Sequence, residues 1–337
     1  MNKKFDTAVV IGRFQIPHSG HRKVFDEAAK LADRIVVIIG SVGQPSTPKN
    51  PFSFEERKSM LRSLLPDIPC DILPVRDQTY NIQNWIVDVN NKVNSTDPKG
   101  WTDYPPKRIL VGHHKDESSF YLDMFPRWKF HEVESEMEIH ATDIRQALFE
   151  GKSFDDFEFL NSHVKFYLQG WTLSDDFRRL QEEYQWLKEY KEKWGSGPFV
   201  TADAVVIQSG HILLVQRGDR PAIGQWALPG GFVNPKETVR QAALRELKEE
   251  TRIKVQPIIL DRNIKRSKVF DAPNRSQRGR IFTHAFLIEL DATTLPRIQA
   301  NDDAKDARWF PLNEVFSMGE VMFEDHLDII LNMTGGM

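Results

Sequence analysis

The chain of 337 residues has little of several features that define large classes of protein. It has one cysteine, Cys70, so it cannot form an intramolecular disulfide, and we expect the protein in a reducing cytoplasm. Its longest apolar run, residues 35–39, is far too short to cross a bilayer. No secretory leader pattern follows the first residues. We therefore expect neither a membrane segment nor an extracellular disulfide framework.

The chain also lacks an excess of charge of one sign. Its net charge is −3, and acidic and basic residues are mixed along it. A general nucleic-acid-binding or membrane-binding protein would show a basic face, so we expect neither kind of partner. The length favours two domains, each with its own core. The sequence leaves the oligomeric state open, including a homo-oligomer.

The first half alternates buried strands with amphipathic helices. Strands are predicted at 8–11, 35–39, 72–75, 108–111 and 129–133, and the first helix at roughly 21–32. This alternation predicts an α/β domain over residues 1–170, with a doubly wound, Rossmann-like parallel sheet covered by helices on both faces. Ligands of such sheets bind at the carboxyl ends of the strands.

The second half has a different pattern. An amphipathic helix is predicted over 174–194 and a Gly/Pro linker over 195–198, so residues 171–198 are expected to connect two domains. A hairpin of alternating strands, a glutamate-rich helix and two further strands follow. This order predicts an α/β/α domain with a mixed sheet over residues 199–337.

The glutamate-rich helix carries the strongest chemical signal of the sequence. Glu246, Glu249 and Glu250 are offset by three and four residues, so they share one face of a helix. Carboxylates crowded in this way predict a hard divalent cation, Mg²⁺ or Mn²⁺, which can also clamp a diphosphate. The alternative is an ordinary solvated face. Such a face would not need the glycine pair Gly230-Gly231 before it.

The spacing around these glutamates resembles the Nudix box, the signature of hydrolases that cut a nucleoside diphosphate linked to another group. The resemblance implies that Glu249 and Glu250 are catalytic and that all three glutamates hold metal. Arg245 is expected to orient Glu249 through an i,i+4 pair, and Glu237 to brace the preceding loop. Gly230 and Gly231 are expected to contact the substrate.

Several positions outside this helix face also bear on the expected activity. Arg252 stands where the Nudix pattern has a glycine that ends the helix in a left-handed conformation, at a cost of about 1 kcal/mol for another residue. In a later Pro/Gly-rich loop, Arg278 or Arg280 is a candidate contact for a terminal phosphate, although solvent-facing loop arginines are commoner. The acidic pair Asp302-Asp303 is a weaker candidate for a base or a substrate contact.

A second candidate site lies at residues 12–21, which follow the first strand directly and open the first helix. His18 and His21 stand three residues apart at the helix N-terminus, where backbone N–H groups and a partial positive charge suit phosphates. Donors fixed there can stabilise charge that grows on a transferring α-phosphate, with no covalent step. The alternative is a pair of surface or metal-binding histidines.

The segment His18-Ser-Gly-His21 resembles the HxGH motif of the nucleotidyltransferase superfamily. The preceding residues extend the resemblance to the archaeal-type nicotinamide mononucleotide (NMN) adenylyltransferases. The resemblance implies that His18 and His21 are catalytic. It also implies substrate contacts by the residues before them: Gly12, Arg13, Phe14 and Gln15.

Later segments strengthen this resemblance. Thr142 and Arg145, at a helix start, look like the second phosphate motif, with Arg145 also catalytic. Asp77, Asn81 and Trp85 look like the NMN pocket of the family. Trp85 is implied to stack on the cationic nicotinamide ring, and the alternative is a core aromatic.

The end of the fourth predicted strand looks like the adenosine-side segment of the family. It is implied to contribute Gly112, His113 and Asp116, and the alternative here is an ordinary polar loop.

Both resemblances, in this order, are those of the bifunctional NMN adenylyltransferase/Nudix hydrolases of bacteria. The family resemblance implies that the first domain joins ATP and NMN into NAD and pyrophosphate. The second is implied to hydrolyse ADP-ribose to AMP and ribose 5-phosphate. The implied cofactor is Mg²⁺, with Mn²⁺ an alternative in the Nudix site. Other readings stay open: a different phosphorylated acceptor such as phosphopantetheine, or a Nudix domain that cleaves another nucleoside diphosphate derivative or only senses ADP-ribose.

Overall fold

The computed structural model describes residues 3–98, 105–114, 117–134, 140–154 and 157–335. The chain divides into two compact units, one of Met1–Val42 with Ser46–Gln181 and the other of Gly43–Pro45 with Glu182–Met337. Within the described part of the chain, no helix combines the length and apolar character needed to span a membrane.

The first unit contains a five-stranded sheet in the order β3-β2-β1-β4-β5, and every neighbouring pair is parallel. All five strands expected from the sequence are present, so the prediction of a doubly wound parallel sheet is confirmed. The strands are β1 (Phe5–Gly12), β2 (Ala32–Ile39), β3 (Asp71–Pro74), β4 (Arg108–Gly112) and β5 (Lys129–Glu132).

Successive residues of a strand point to opposite sides of the sheet, so both faces of this sheet carry apolar side chains. Helices cover both faces. Val10 and Val37 pack with Phe25 on one face, whereas Val9 and Val36 pack with the opposite cluster. The helices are α1 (Ser19–Leu31), α2 (Phe54–Leu64), α3 (Ile82–Asn94), α4 (Ala141–Phe149) and α5 (Ser162–Trp171), with a 3₁₀ helix at Glu117–Asp123.

The first helix begins earlier than the sequence pattern predicted. We expected α1 from about residue 21, but it begins at Ser19 with His18 as its N-cap residue. The reason is a reciprocal pair in which the side chains of His18 and His21 serve as a capping box. The two histidines therefore cap the N-terminus of α1 in addition to being candidate catalytic residues.

A long helix, α6 (Asp175–Trp194), follows the first unit's last helix and agrees with the prediction for 174–194. In the first unit, the ring of Phe177 stacks on that of Phe149 with centroids 5.8 Å apart. In the second unit, Glu182 forms an ion pair with Arg220 at 2.6 Å. The first turns of the helix thus pack within the first unit, and Glu182, near its middle, forms its ion pair within the second.

The second unit contains a seven-stranded mixed sheet, as predicted. Its main path is β10-β11-β6-β7-β12, in which β11 and β6 are parallel and the other pairs antiparallel. The strands are β6 (Phe199–Gln208), β7 (His211–Arg217), β8 (Trp226–Ala227), β9 (Gly230–Phe232), β10 (Ile264–Phe270), β11 (Ile281–Leu290) and β12 (Ala304–Pro311).

The glutamate-rich helix packs on one face of this sheet. Leu247 lies in a core cluster with Ala204, and Ala243 lies in another with Ala202. Alternation along β6 sends Asp203 to the other face, where a polar cavity forms. The helices are α7 (Val239–Thr251), α8 (Pro257–Arg262), α9 (Leu312–Val315) and α10 (His326–Thr334), with a 3₁₀ helix at Gly319–Val321.

Candidate active sites

The first candidate site lies where β1 gives way to α1. The imidazole rings of His18 and His21 have centroids 3.9 Å apart, and the backbone N–H of His18 donates to Nδ1 of His21 at 3.2 Å. His18 is buried and His21 partly buried. The structure therefore brings both predicted histidines together at a helix N-terminus, which favours an anion.

Arg145 reaches this loop from α4. Its guanidinium donates to the carbonyl of Gln15 at 2.9 Å and to Oγ1 of Thr142 at 3.1 Å. Burial, together with the positive charge of Arg13, lowers the pKa of Arg145 to about 10. Thr142 and Arg145 thus lie beside the first motif, as the resemblance implies. Their roles in binding phosphate stay predictions.

The four residues before the histidines have different surroundings. Phe14 is buried in a left-handed conformation with φ 49°, and a Cβ at Gly12 would lie 2.9 Å from its ring. The side-chain amide of Gln15 pairs with both the N–H and the carbonyl of Phe52, each at 3.1 Å. Arg13 is exposed. Phe14 and Gln15 therefore hold the loop in place, and Arg13 offers the accessible charge.

A further cation, which the sequence motifs did not indicate, lies in this site. Lys49 is partly buried, and its pKa falls to about 8 because of burial and the positive charges of Arg13 and Arg145, against the attraction of Asp77. Three cations gathered in this way outnumber the nearby carboxylates Asp77 and Asp143, which favours binding of an anion. One signal was available, since Lys49 lies in the loop that follows the carboxyl end of β2, where parallel sheets bind ligands.

The predicted NMN pocket is brought together only in part. Asp77 accepts hydrogen bonds from the N–H of Ser41 at 3.0 Å and from its Oγ at 2.5 Å. Asn81 is the N-cap of α3. Trp85 is 8% exposed and packs against Tyr121 in the apolar cluster that covers one face of the sheet. Packing leaves little of the Trp85 ring for a ligand, and its stacking role stays a prediction.

The adenosine-side segment follows β4. Gly112 is closely packed, because a Cβ there would lie 3.0 Å from Leu122. The exposed ring of His113 has its Nδ1 3.1 Å from the carbonyl oxygen of Val133. Asp116 lies outside the described residues. Substrate contacts by all three stay predictions.

The second candidate site is organised by Arg245 on α7. Its guanidinium forms ion pairs with Glu237 at 2.7 Å, Glu246 at 2.8 Å and Glu249 at 2.8 Å. Hydrogen bonding to Glu237, and then to the other two, raises the pKa of Arg245, and the same bond lowers that of Glu237 to about 2. The predicted i,i+4 pair with Glu249 is present. Glu237 also accepts from the N–H of Asn234, which braces the loop as predicted.

The glycine pair lies directly against two glutamates of this helix. Glu250 is buried and accepts a hydrogen bond from the N–H of Gly230 at 3.0 Å. A Cβ at Gly231 would lie 2.4 Å from Oε1 of Glu246, and one at Gly230 would lie 2.6 Å from the backbone carbonyl oxygen of Ala202, so the close approach at Gly230 requires glycine. Burial raises the pKa of Glu250 well above its ordinary range, and the charges of Asp303 and Glu246 add to the effect.

The donor chemistry of this cluster suits a hard divalent ion. Burial also raises the pKa of Glu246, against the attraction of Arg245, with the charges of Glu249 and Asp303 adding to the rise. In the described part of the chain, however, no group of three or more His, Cys, Asp or Glu side chains is arranged to hold a metal ion. Glu246 and Glu249 both bind Arg245, while Glu250 binds backbone. Metal binding would therefore require the carboxylate of Glu249 to leave its ion pair with Arg245.

The end of α7 resolves the question raised by Arg252. This residue takes the left-handed conformation, with φ 43° and ψ 33°, and its N–H donates to the carbonyl of Lys248 at 3.0 Å. Its guanidinium donates to Oδ1 of Asn301, whose Nδ2 donates to the carbonyl of Glu249 at 3.0 Å. The helix thus ends in the left-handed conformation that glycine would take there, and the fold accommodates arginine at this position.

A small cavity of about 40 Å³, open to solvent, adjoins Gly230, Gly231 and Glu250. Arg278 lines it, whereas the guanidinium of Arg280 lies over the ring of Phe282 at 4.5 Å. The structure thus places only one of the two candidate arginines at the cavity. Further polar lining residues, which the sequence analysis left out or treated only as weak candidates, are Asp203, Arg217, Arg275, Asp303, Glu324 and His326.

The charges lining this cavity are largely paired within the protein. Arg275 binds Asp325 at 2.6 Å, and Arg278 lies 3.4 Å from Glu324. Burial raises the pKa of Asp203 to about 7. Two of the three lining arginines are therefore already paired with carboxylates, whereas Arg217 donates to the carbonyl of Pro221 at 2.8 Å. The pairing reduces the positive charge that these two arginines offer to a diphosphate.

Known proteins match both halves of the chain. A cytidylyltransferase-like family model matches residues 9–147, and a NUDIX domain model matches residues 197–330. A solved bifunctional NMN adenylyltransferase/ADP ribose pyrophosphatase from Francisella tularensis is 35% identical, with a TM-score of 0.91, over 98% of this chain and 99% of that chain. The chain belongs to this bifunctional family.

Separate relatives also match each half of the chain. A nicotinamide/nicotinic acid mononucleotide adenylyltransferase of Acinetobacter baylyi is 33% identical over 186 residues, 54% of this chain and 95% of the relative. An ADP-ribose pyrophosphatase of Methanocaldococcus jannaschii is 37% identical over 120 residues, 35% of this chain and 64% of the relative. A second Francisella tularensis structure, 34% identical with a TM-score of 0.89, is a complex with AMP and a manganese ion.

Proposed function

We propose that this chain catalyses two reactions of NAD metabolism. Residues 1–170 transfer the adenylyl group of ATP to NMN, giving NAD and pyrophosphate, and residues 199–337 hydrolyse ADP-ribose to AMP and ribose 5-phosphate. Residues 171–198 connect the two domains. The observation that carries the proposal is the full-length similarity to a bifunctional relative, with both candidate sites present. The single cysteine supports a cytoplasmic location.

In the first reaction, the protein supplies positive charge where phosphate charge develops. His18 and His21 stand at the N-terminus of α1, and Arg145 and Lys49 add cationic side chains beside them. Oxygen of the NMN phosphate attacks the α-phosphate of ATP, and pyrophosphate leaves. Fixed donors stabilise the transition state because they need no reorganisation as charge moves onto the leaving group.

In the second reaction, Glu246, Glu249 and Glu250 would hold a divalent metal ion, for which we propose Mg²⁺, with Mn²⁺ as a substitute. Such an ion would neutralise diphosphate oxygens and lower the pKa of the attacking water. Arg245 positions Glu249 through their ion pair, and Gly230 and Gly231 let the substrate approach the helix. The retained glutamates favour hydrolysis over sensing of ADP-ribose alone.

One chromatographic experiment tests both activities. The pure protein is incubated with Mg²⁺ and either ATP plus NMN or ADP-ribose, beside the Glu249→Gln variant. We expect NAD from both proteins, and AMP with ribose 5-phosphate from the native protein alone. Intact ADP-ribose with the native protein would contradict the second activity, and a panel of other nucleoside diphosphate derivatives would then identify its substrate. Preference for phosphopantetheine over NMN would contradict the first.

A further inference from the structure

A fully buried arginine lies beneath the first candidate site. Arg57 on α2 is 1% exposed, and its guanidinium donates to four backbone carbonyls. The acceptors are Ser53 at 3.1 Å, Arg13 at 2.8 Å, Gly40 at 2.7 Å and Ser41 at 3.2 Å. Among the described residues, no carboxylate forms an ion pair with it. We call these four hydrogen bonds the Arg57 clamp.

Core packing alone does not account for this residue. Burial lowers the pKa of Arg57 to about 10, so the guanidinium is still charged at neutral pH. Burying a charge without an ionic partner is costly, and an apolar side chain would fill the same space at lower electrostatic cost. The carbonyl dipoles offset that cost only while all of them converge on the guanidinium.

The clamp joins segments that carry predicted site residues. Arg13 belongs to the loop after β1, and Gly40 and Ser41 to the loop after β2. Ser53 is the N-cap of α2, the helix that carries Arg57 itself. One side chain thus ties together two loops at the carboxyl ends of neighbouring strands, where ligands of a parallel sheet bind.

The clamp also extends to Asp77 through Ser41. The N–H and Oγ of Ser41 both donate to the Asp77 carboxylate, while its carbonyl accepts from Arg57. Ser41 holds a left-handed conformation with φ 51°, which a residue other than glycine keeps only when its surroundings impose it. Arg57 supplies part of that constraint.

We propose that Arg57 is a positioning residue for adenylyl transfer, which aligns Arg13 on the ATP side with Asp77 on the NMN side. The proposal rests on the proposed adenylyltransferase activity. It assigns Arg57 no contact with substrate. Its effect is to hold two loops at the spacing that both substrates require, and small errors in such spacing are costly in rate.

Steady-state kinetics of Arg57→Lys and Arg57→Gln test the clamp. Lysine keeps the charge, but its three donors sit on one atom and cannot reach four carbonyls. We expect KM for ATP and KM for NMN each to rise about 10- to 100-fold in both variants. The matched control is Arg62→Lys on the same helix, whose exposed guanidinium donates to the carbonyl of Cys70, and we expect native KM values from it.

Three results would overturn the proposal. Native KM values in Arg57→Lys would show that charge suffices without the clamp. A fall in kcat that matches the loss of folded protein, with both KM values unchanged, would show a structural role only. Equal KM changes in the Arg62→Lys control would show that the effect is not specific to Arg57.

A second variant keeps the test decisive where Arg57 variants fold poorly. Ser41→Ala removes only the Oγ donor to Asp77, and we expect KM for NMN to rise about 3- to 10-fold with KM for ATP unchanged. Equal changes in both KM values, or in neither, would contradict the link through Ser41. Absence of NAD from the native protein would count against the proposed function instead, and calorimetric binding of ATP and of NMN to the same variants would still test the clamp.

Discussion

The two candidate sites handle phosphate with opposite charges. The first gathers three cations, Arg13, Lys49 and Arg145, against the two carboxylates Asp77 and Asp143. The second places Glu246 and Glu250 near Asp303, and Arg245, the helix cation that contacts its glutamates, is already shared among them. A site with its own cations can bind a phosphate directly. A site made of carboxylates needs an added cation first.

The pKa shifts of the two sites show the same contrast. In the first site, burial and neighbouring cations lower the pKa of Lys49 and Arg145, so an arriving anion relieves repulsion. In the second, burial and neighbouring carboxylates raise the pKa of Glu246 and Glu250. Binding of a cation would relieve the repulsion among these carboxylates. Each site is thus prepared for a partner of the opposite sign.

The largest effect is expected from removing one charge of the second site. Glu250→Gln should reduce ADP-ribose hydrolysis about 10³-fold or more, since a divalent ion contributes several kcal/mol to transition-state stabilisation. NAD formation should stay native. Initial rates of both reactions, with Glu314→Gln on α9 as an exposed control, check this. Equal loss of both activities would contradict the separation of the sites.

Removing a charge from the first site should give the next largest effect. Arg145→Met should lower kcat for NAD formation about 10²-fold, because a fixed donor beside the developing charge is lost. Hydrolysis of ADP-ribose should not change. The measurement is steady-state kinetics at saturating ATP and NMN, with Arg145→Lys as the matched variant. Native kcat in Arg145→Met would show that this residue does not act on the transition state.

A smaller effect should appear in the pH dependence of the first site. The pKa of Lys49 is about 8, so its charge is present below that pH and lost above it. At one pH unit above that value, we expect kcat/KM for ATP to lie about tenfold below its low-pH plateau. Lys49→Arg should flatten the profile, since arginine keeps its charge. A profile that is the same in both proteins would assign the titration to another group.

The smallest effect is expected at the end of α7. Arg252→Gly relieves the left-handed strain of arginine, worth about 1 kcal/mol, but loses the bond to Asn301. These changes nearly cancel, so we expect stability within about 1 kcal/mol of native and hydrolysis within about threefold. Thermal unfolding and initial rates measure both. A large gain in hydrolysis would mean that Arg252 had limited this site.

Local patterns of the sequence predicted much of this molecule. The strands follow from apolar runs, and the pair Arg245–Glu249 from i,i+4 spacing on a helix. Arg57 and its clamp did not follow, because Arg13 and Arg57 meet across 44 positions of the chain. The cavity of the second site was missed for the same reason, since Leu228 and His326 meet across 98 positions.

The start of α1 shows a different limit. Apolar periodicity placed it near residue 21, but side-chain capping by His18 moved it two residues earlier, to Ser19. Arg278 and Arg280 show a third. They lie two residues apart in one loop, and only the folded chain reveals that one lines the cavity and the other covers Phe282.

Calorimetric binding of inorganic pyrophosphate in the presence of a metal chelator tests the contrast between the two sites most directly. The account predicts one binding site per chain, weakened strongly by Lys49→Met and by Arg145→Met and unchanged by Glu250→Gln. Restoring Mn²⁺ should then add a second site that Glu250→Gln removes. Two sites in chelator, or a chelator-resistant site that depends on Glu250, would contradict it.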